Sequence, residues 1–332
     1  MNILVCGGGG FIGGHLAKKL YEEGHYVVVA DIKRHEYFQN YCDVSLKVDL
    51  SDSYQVQWLF KSQRFFDVVY QLAADMGGAG YIFSGENDAN VMHNSALINL
   101  NIAKACLEYG VGKVFYSSSA CMYPEYNQLD PENPNCEESS AYPANPDSEY
   151  GWEKLFSERL YMSFARNYGL NVRIARFHNI FGPQGTWTGG KEKSPAAICR
   201  KVIECEEGGE IEIWGDGKQT RSFLYVDSCL DKVDMLMNSN YDKPVNIGSE
   251  EMISINDLAK MVIKISGKDI KIKNLYGQEF IDKYGYKCPL GVKGRNSNNN
   301  LFKEKVGEDV FEPLEEGIKK LYNWIEIQNE NK

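Results

Sequence analysis

Nine cysteines are present, but no two are spaced as C-x-x-C, and the five histidines include no H-E-x-x-H. Both absences argue against a bound metal and fit a chain kept in a reducing compartment, so no metal and a cytoplasmic location are expected. No apolar run approaches the ~20 residues needed to cross a bilayer, so no membrane span is expected. The first residues, Met1 to Cys6, carry neither a basic leader nor a small-residue cleavage site, and no secretory signal is expected. Positive charge is scarce: 36 Lys and Arg against 46 Asp and Glu give a net charge of −10. That excludes a general phosphate-backbone binder, and no nucleic acid or membrane partner is expected, while a local basic pocket for a small phosphorylated ligand remains open. Internal repeats are absent, and the Asn-rich stretch 296–300 is too short to be low-complexity.

What is present is an alternating rhythm. Residues 3–6, 26–31 and 68–72, a short run ending at Val48, and residues 114–117 and 172–176 read as continuously apolar strands. Helical patterns lie between them, at 11–23 with Leu16 and Leu20 on one face and at about 91–109. Unbroken apolar strands separated by helices predict an α/β fold: a Rossmann-type, doubly wound parallel sheet covered on both faces. Past Phe177 the rhythm breaks into Gly-, Pro- and Lys-rich segments, with helices expected at about 195–206, 226–238, 255–265 and 313–327 and a mobile loop at 285–294. This predicts residues 1–177 plus about 223–247 as a dinucleotide domain. About 178–222 plus 248–332 then form a smaller mixed α/β substrate domain.

Gly7-Gly8-Gly9-Gly10-Phe11-Ile12-Gly13 fits G-x-x-G-x-x-G directly after a strand and at the start of a helix. Gly7, Gly10 and Gly13 permit a tight turn and close approach to a pyrophosphate. Phe11 and Ile12 open a helix whose free N–H groups face it. Asp31 ends the second strand; a carboxylate there accepts from both ribose hydroxyls and repels a 2′-phosphate, favouring NAD over NADP. Asp49 and Leu50 follow the third strand and Leu72, Ala73 and Ala74 the fourth, at carboxyl strand ends where open sheets bind ligands.

Tyr150 and Lys154 are four residues apart and share a helical face. An ammonium beside a phenol is expected to favour the phenolate. With the hydroxyls of residues 117–119 upstream, this predicts a site that moves a proton and a hydride together.

The glycine loop, Ser119, Tyr150 and Lys154 together resemble the extended short-chain dehydrogenases/reductases, in their nucleotide-sugar-modifying branch. Six further strings narrow the resemblance: residues 74–78 (Ala-Asp-Met-Gly-Gly), 118–125, 176–183, 185–197, 214–223 and 294–297. They are similar to the GDP-mannose 3,5-epimerase family. The resemblance implies NAD held permanently and reoxidised in each turnover, a GDP-hexose substrate and a homodimer. It implies Ser119, Cys121, Tyr150, Lys154 and Lys193 as catalytic residues. Cys121 stands where sugar-nucleotide dehydratases carry an acid, and it suits proton exchange beside a ketone. Lys193, expected to have a depressed pKa, would act from the opposite ring face. Met76, Gly77 and Gly78 would line the sugar, and Asn179, Lys201, Gln219, Arg221 and Arg295 would hold the nucleotide. The chain departs from the family pattern at Lys293, where an arginine is expected, and in a longer stretch at 276–289. A single-centre 4-epimerase or a reductase of a nucleotide sugar is the enzymatic alternative, and an NAD-sensing binding protein the non-enzymatic one.

Overall fold

The unbroken apolar runs of the first half become buried strands: β1 (Asn2–Cys6), β2 (Tyr26–Asp31), β3 (Val44–Lys47), β4 (Val68–Gln71), β5 (Lys113–Ser119) and β6 (Val172–Phe177). Helices α1 (Phe11–Glu22), α2 (Ser53–Ser62), α3 (Ala79–Ile82), α4 (Asp88–Glu108) and α5 (Glu149–Tyr168) connect them. There follow β7 (Ile180–Phe181), α6 (Ser194–Glu204), β8 (Glu210–Trp214), β9 (Thr220–Ser222), β10 (Leu224–Tyr225), α7 (Val226–Asn238) and β11 (Val245–Ile247). The chain ends with β12 (Met252–Ser254), α8 (Ile255–Ser266), β13 (Lys271–Leu275), α9 (Gly277–Tyr284), β14 (Gly294–Arg295), α10 (Asn300–Lys305) and α11 (Leu314–Glu330). This computed structural model describes residues 1–63 and 65–331; Lys332, the last residue of the expected substrate domain, lies outside them.

The main sheet has seven strands in the order β3-β2-β1-β4-β5-β6-β11, every neighbouring pair parallel. The order reverses between β1 and β4, which opens a ligand crevice at their carboxyl ends. Alternate residues feed opposite faces. Ile3 and Val5 pack with Leu16 of α1 and Val233 of α7, while Leu4 and Cys6 pack with Leu59 of α2, Ile102 of α4 and Tyr161 of α5. The first of these cores continues into Ile198 of α6, Val262 of α8 and Ile318 of α11, so the C-terminal helices close over one face of the sheet. Helices α6, α7, α8 and α11 fall where the periodicity placed them. The stretch at 276–289 contains α9, which forms because Phe280 buries against Trp214 while Lys283 and Tyr284 reach Glu212. The following loop is pinned at its end, where Leu290 and Val292 accept from Arg221.

Helix α5 has an unusual inner face. Tyr150, Glu153, Lys154, Ser157 and Glu158 are all buried, so polar contacts dock it. Glu158 pairs with Arg176 of β6 at 2.6 Å and accepts from Ser118 of β5 at 2.9 Å. Arg176 also donates to the Tyr123 hydroxyl. In parallel, Gln71 at the end of β4 donates to Asn99 of α4, and Asn99 donates to Glu153. These links fix α5 against the carboxyl ends of three strands. Removing one partner of a buried pair strands the other charge, so Glu158→Ala is expected to lose about 3–5 kcal/mol of stability in urea unfolding.

His178, just after β6, is fully buried, and its Nε2 donates to Asn246 Oδ1 at 2.9 Å. The Asn246 amide is oriented by its own donation to Cys136 O and Asn298 O. Burial lowers the His178 pKa to about 3. The unfolded chain takes up this proton near pH 6.5 and the folded chain does not. His178 therefore contributes stability above about pH 6.5 that is lost as the pH falls toward 3, and burial of His35, lowered to about 4, acts in the same direction. The urea midpoint of His178→Asn is expected to fall less steeply over this range than that of the wild type.

Candidate active site

At the end of β1 the chain turns on Gly7, whose φ of +82° belongs to the left-handed region. A Cβ there would lie 2.7 Å from Ala73 N, so the turn and the 72–74 segment pack backbone to backbone. A Cβ at Gly13 would lie 2.2 Å from Gly7 O. Gly10 caps α1 without a side chain, leaving the first helical N–H groups, from Phe11 onward, free to face an anion. Asp31 at the end of β2 accepts from Gly9 N and Lys33 N, each at 3.0 Å. Its partial burial raises its pKa, opposed by those two donors. A side-chain-free cradle, an uncapped helix start and an acid at the second strand end fit a dinucleotide with a diphosphate and an unphosphorylated ribose.

The other residues expected beside this cradle are more occupied. Asp49 accepts from Ser51 N and Oγ, and Leu50 is buried with its carbonyl taken by Asn101. Leu72 N donates to Cys6 O, and Ala73 N to Gln71 Oε1.

Ser119 ends β5 and caps a single turn of 3-10 helix over Ala120–Met122, its Oγ accepting from Cys121 N at 3.2 Å. Helix α5 brings the Tyr150 hydroxyl into hydrogen-bond contact with Ser119. Lys154 donates to Ser117 O at 2.8 Å and stands 5.6 Å from the Tyr150 ring centre. The expected lowering of the Tyr150 pKa is overturned: burial raises it and Cys121 adds to the rise, while the bond with Ser119 opposes it. Burial outweighs Lys154 because the ammonium is itself buried, its own pKa lowered, and committed to a carbonyl.

Lys193 sits just before α6 on the loop that follows β7. The residue is exposed at the mouth of the cleft, but the protein crowding its ammonium lowers its pKa, opposed by Cys121 and then Cys229. The loop bearing Lys193 touches the 76–78 segment: a Cβ at Gly78 would lie 2.7 Å from Glu192 O, and the Lys191 ammonium lies 4.3 Å from the Tyr81 ring centre. A Cβ at Gly77 would meet the Tyr81 ring, and Met76 is exposed. Cys121 is the common neighbour: Lys154, Lys193, Arg221 and Arg295 all lie within electrostatic reach of its sulfur.

The residues expected at the nucleotide end divide. Arg221 and Arg295 face each other across the β9–β14 pair and join the Cys121 neighbourhood. Burial and then Arg295 push the Arg221 pKa down to about 10. Asn179, at a φ of +48°, donates to Ser222 O. Lys201 donates to Glu212 O, with its charged neighbours Glu212, Arg200, Glu192 and Lys283 lying outside the Cys121 group. Gln219 donates to Trp214 O, and its buried Oε1 has no partner among the described residues. Two side chains beside Arg295, Gln128 and Asp147, carry no sequence signal: one ends a single 3-10 turn over Glu125–Gln128 and the other precedes Tyr150 outside its helix. Among the described residues no group of three or more His, Cys, Asp or Glu is arranged to hold a metal, and no helix is long and apolar enough to cross a membrane.

Comparison with known proteins agrees with this geometry. Residues 3–248 match the NAD dependent epimerase/dehydratase family. A GDP-mannose 3,5-epimerase from Arabidopsis thaliana is 43% identical over 99% of this chain and 83% of its own length. A GDP-mannose 3,5-epimerase 1 from Oryza sativa subsp. indica is 41% identical over the same shares. Among solved structures, a UDP-glucose 4-epimerase with UDP-glucose from Thermotoga maritima superimposes with a TM-score of 0.85 at 27% identity, covering 99% of this chain and 100% of that one. The chain belongs to the NAD dependent epimerase/dehydratase family.

Proposed function

We propose that this protein inverts carbons 3 and 5 of a GDP-hexose of the GDP-mannose type. What supports this reading is that Cys121 packs against the cluster that holds Tyr150 and that Lys193 lies within electrostatic reach of Cys121. The two plant relatives named GDP-mannose 3,5-epimerase support it. Residues 1–177 plus about 223–247 form the dinucleotide unit, with Gly7, Gly10, Phe11, Ile12 and Gly13 on the pyrophosphate and Asp31 on the ribose. Asp49, Leu50, Leu72, Ala73 and Ala74 flank the cofactor. About 178–222 plus 248–332 hold the nucleotide sugar, through Asn179, Lys201, Gln219, Arg221 and Arg295, with Met76, Gly77 and Gly78 along the sugar.

Bound in this cradle, NAD supplies the reversible two-electron oxidation at carbon 4 of the sugar. In its phenolate form, which the Ser119 hydroxyl favours, Tyr150 takes the proton of the carbon-4 hydroxyl, with Lys154 braced on Ser117. A ketone at carbon 4 acidifies the protons on carbons 3 and 5, because enolate charge spreads onto oxygen. Cys121 and Lys193 exchange those protons, one removing from one ring face and the other returning to the opposite face. The lowered pKa of Lys193 enlarges its neutral, proton-accepting share near neutral pH. As the two electrons return with hydrogen to carbon 4, Tyr150 gives its proton back to the carbon-4 oxygen, closing the cycle.

A homodimer is part of this proposal. Helices α4 and α5 pack together and leave Leu100, Trp152 and Phe156 exposed. All nine cysteines are free thiols, which supports a reducing, cytoplasmic setting.

Turnover of GDP-mannose in deuterated water, read by proton NMR, is expected to place deuterium at carbons 3 and 5; its absence from both sinks the reading. In Cys121→Ala that exchange is expected to slow roughly 10²–10⁴-fold. The transient absorbance of reduced cofactor should persist. Exchange at the wild-type rate would remove Cys121 from the chemistry.

A further inference from the structure

The guanidinium of Arg295 is bonded to a thiol: its Nη1 donates to Cys121 Sγ at 3.1 Å. Three observations show that this contact is built in. First, Arg295 Nε donates to Gln128 Oε1 at 2.6 Å. Gln128 is fully buried, and its own amide donates to Tyr123 O and Pro124 O, both at 3.1 Å. Those two bonds settle which way the carboxamide points, so its oxygen can only face Arg295. Second, the strand carrying Arg295 is threaded tightly past the same segment. Lys293 N donates to Gln128 O, and a Cβ at Gly294 would lie 2.5 Å from Asp130 O. Third, Asp147 Oδ1 lies 3.6 Å from Arg295 Nη2, both side chains being 5% exposed. That separation exceeds a hydrogen bond, and Asp147 Oδ2 and Arg295 Nη2 have no hydrogen-bond partner among the described residues. Asp147 therefore braces the guanidinium by charge while the directed bonds go to Gln128 and Cys121.

We propose that Gln128, with Asp147, is a positioning residue that fixes Arg295 against the Cys121 sulfur and so sets when and where that thiol exchanges a proton. The proposal rests on the reading that Cys121 takes part in exchange at carbons 3 and 5. Among the described residues, the titratable groups within electrostatic reach of the sulfur are Tyr150 and Lys154 on α5, Lys193 before α6, Arg221 on β9, Arg295 on β14 and Cys136 on an intervening loop, with Asp147 behind Arg295. Arg295 is the one cation among them with a hydrogen bond to the sulfur. A donor and positive charge held at a sulfur favour the thiolate, the form that reacts with alkylating agents. A bland alternative is that Gln128, Arg295 and Asp147 only tie β14 to its neighbours. In that case removing Gln128 would cost stability without changing how Cys121 ionises.

The test is alkylation of the full-length protein by iodoacetamide across pH, followed on the Cys121 peptide by mass spectrometry. Peptide resolution separates Cys121 from the half-exposed Cys42, Cys205 and Cys288. Gln128→Met removes the brace and keeps the Arg295 charge; Arg295→Met removes the charge, and Arg295→Lys restores the charge without the fork. The expected result is Cys121 alkylation slowed roughly tenfold at neutral pH in Arg295→Met and Gln128→Met, with the rate profile moved to higher pH and partly recovered in Arg295→Lys. A profile coincident with the wild type in Gln128→Met, whatever Arg295→Met does, overturns the proposal. If Gln128→Met does not fold, the contrast between Arg295→Lys and Arg295→Met decides on the same criterion. The alkylation profile needs no turnover, so it can fail while wild-type deuterium exchange succeeds, or the reverse, and the two readings stand or fall separately.

Discussion

The docking of α5 on the sheet is the constraint from which the site follows. Tyr150, Lys154 and Glu158 lie one helical turn apart on its buried face, so whatever fixes Glu158 also fixes the phenol and the ammonium. Glu158 is held at 2.6 Å by Arg176 and bonded by Ser118, and Glu153 on the next ridge is held by Asn99. Polar bonds are directional where apolar packing is not, so this face gives the helix one rotation and one height. The cost is that both charges are buried and depend on each other. The arrangement places charged residues one layer behind the chemistry in exchange for a rigid Tyr150.

The same dense burial shapes the electrostatics of the cleft. Burial disfavours the charged form of each group it surrounds. Tyr150 is raised, Lys154 and Arg221 are lowered, and the exposed Lys193 is lowered by the protein that crowds its ammonium. A cleft that collects three lowered cations and Arg295 around one thiol is suited to an anionic sugar nucleotide and to an enolate. It also explains why a chain of net charge −10 can serve a phosphorylated ligand: the positive charge is local and set by β9, β14 and the loop before α6.

Much of the fold was legible because the parallel sheet leaves a strong mark. Continuous apolar strands need helices on both faces, and the glycine turn after β1 has few other uses. Helix α2 escaped notice although Asp52 caps it, accepting from Tyr54 and Gln55. Helix α9 escaped because its one buried residue, Phe280, gives no periodic pattern, and its other anchors are contacts to Glu212 about seventy residues away. The candidate site was legible through short strings that hold Ser119, Cys121, Tyr150, Lys154 and Lys193, but the contacts around them were not. Gln128 and Asp147 meet Arg295 across 167 and 148 positions, and nothing local marks either.

The sequence by itself determined the dinucleotide turn, the Asp31 acid and the spacing of Tyr150 and Lys154, since each depends on neighbours within one turn or one strand–helix unit. The tertiary structure decided the direction of the Tyr150 pKa, the diversion of Lys201 toward Glu212, and the bond from Arg295 to Cys121. Those depend on burial and on charges that only the folded chain brings together, and burial overrode the influence of the ammonium four residues away.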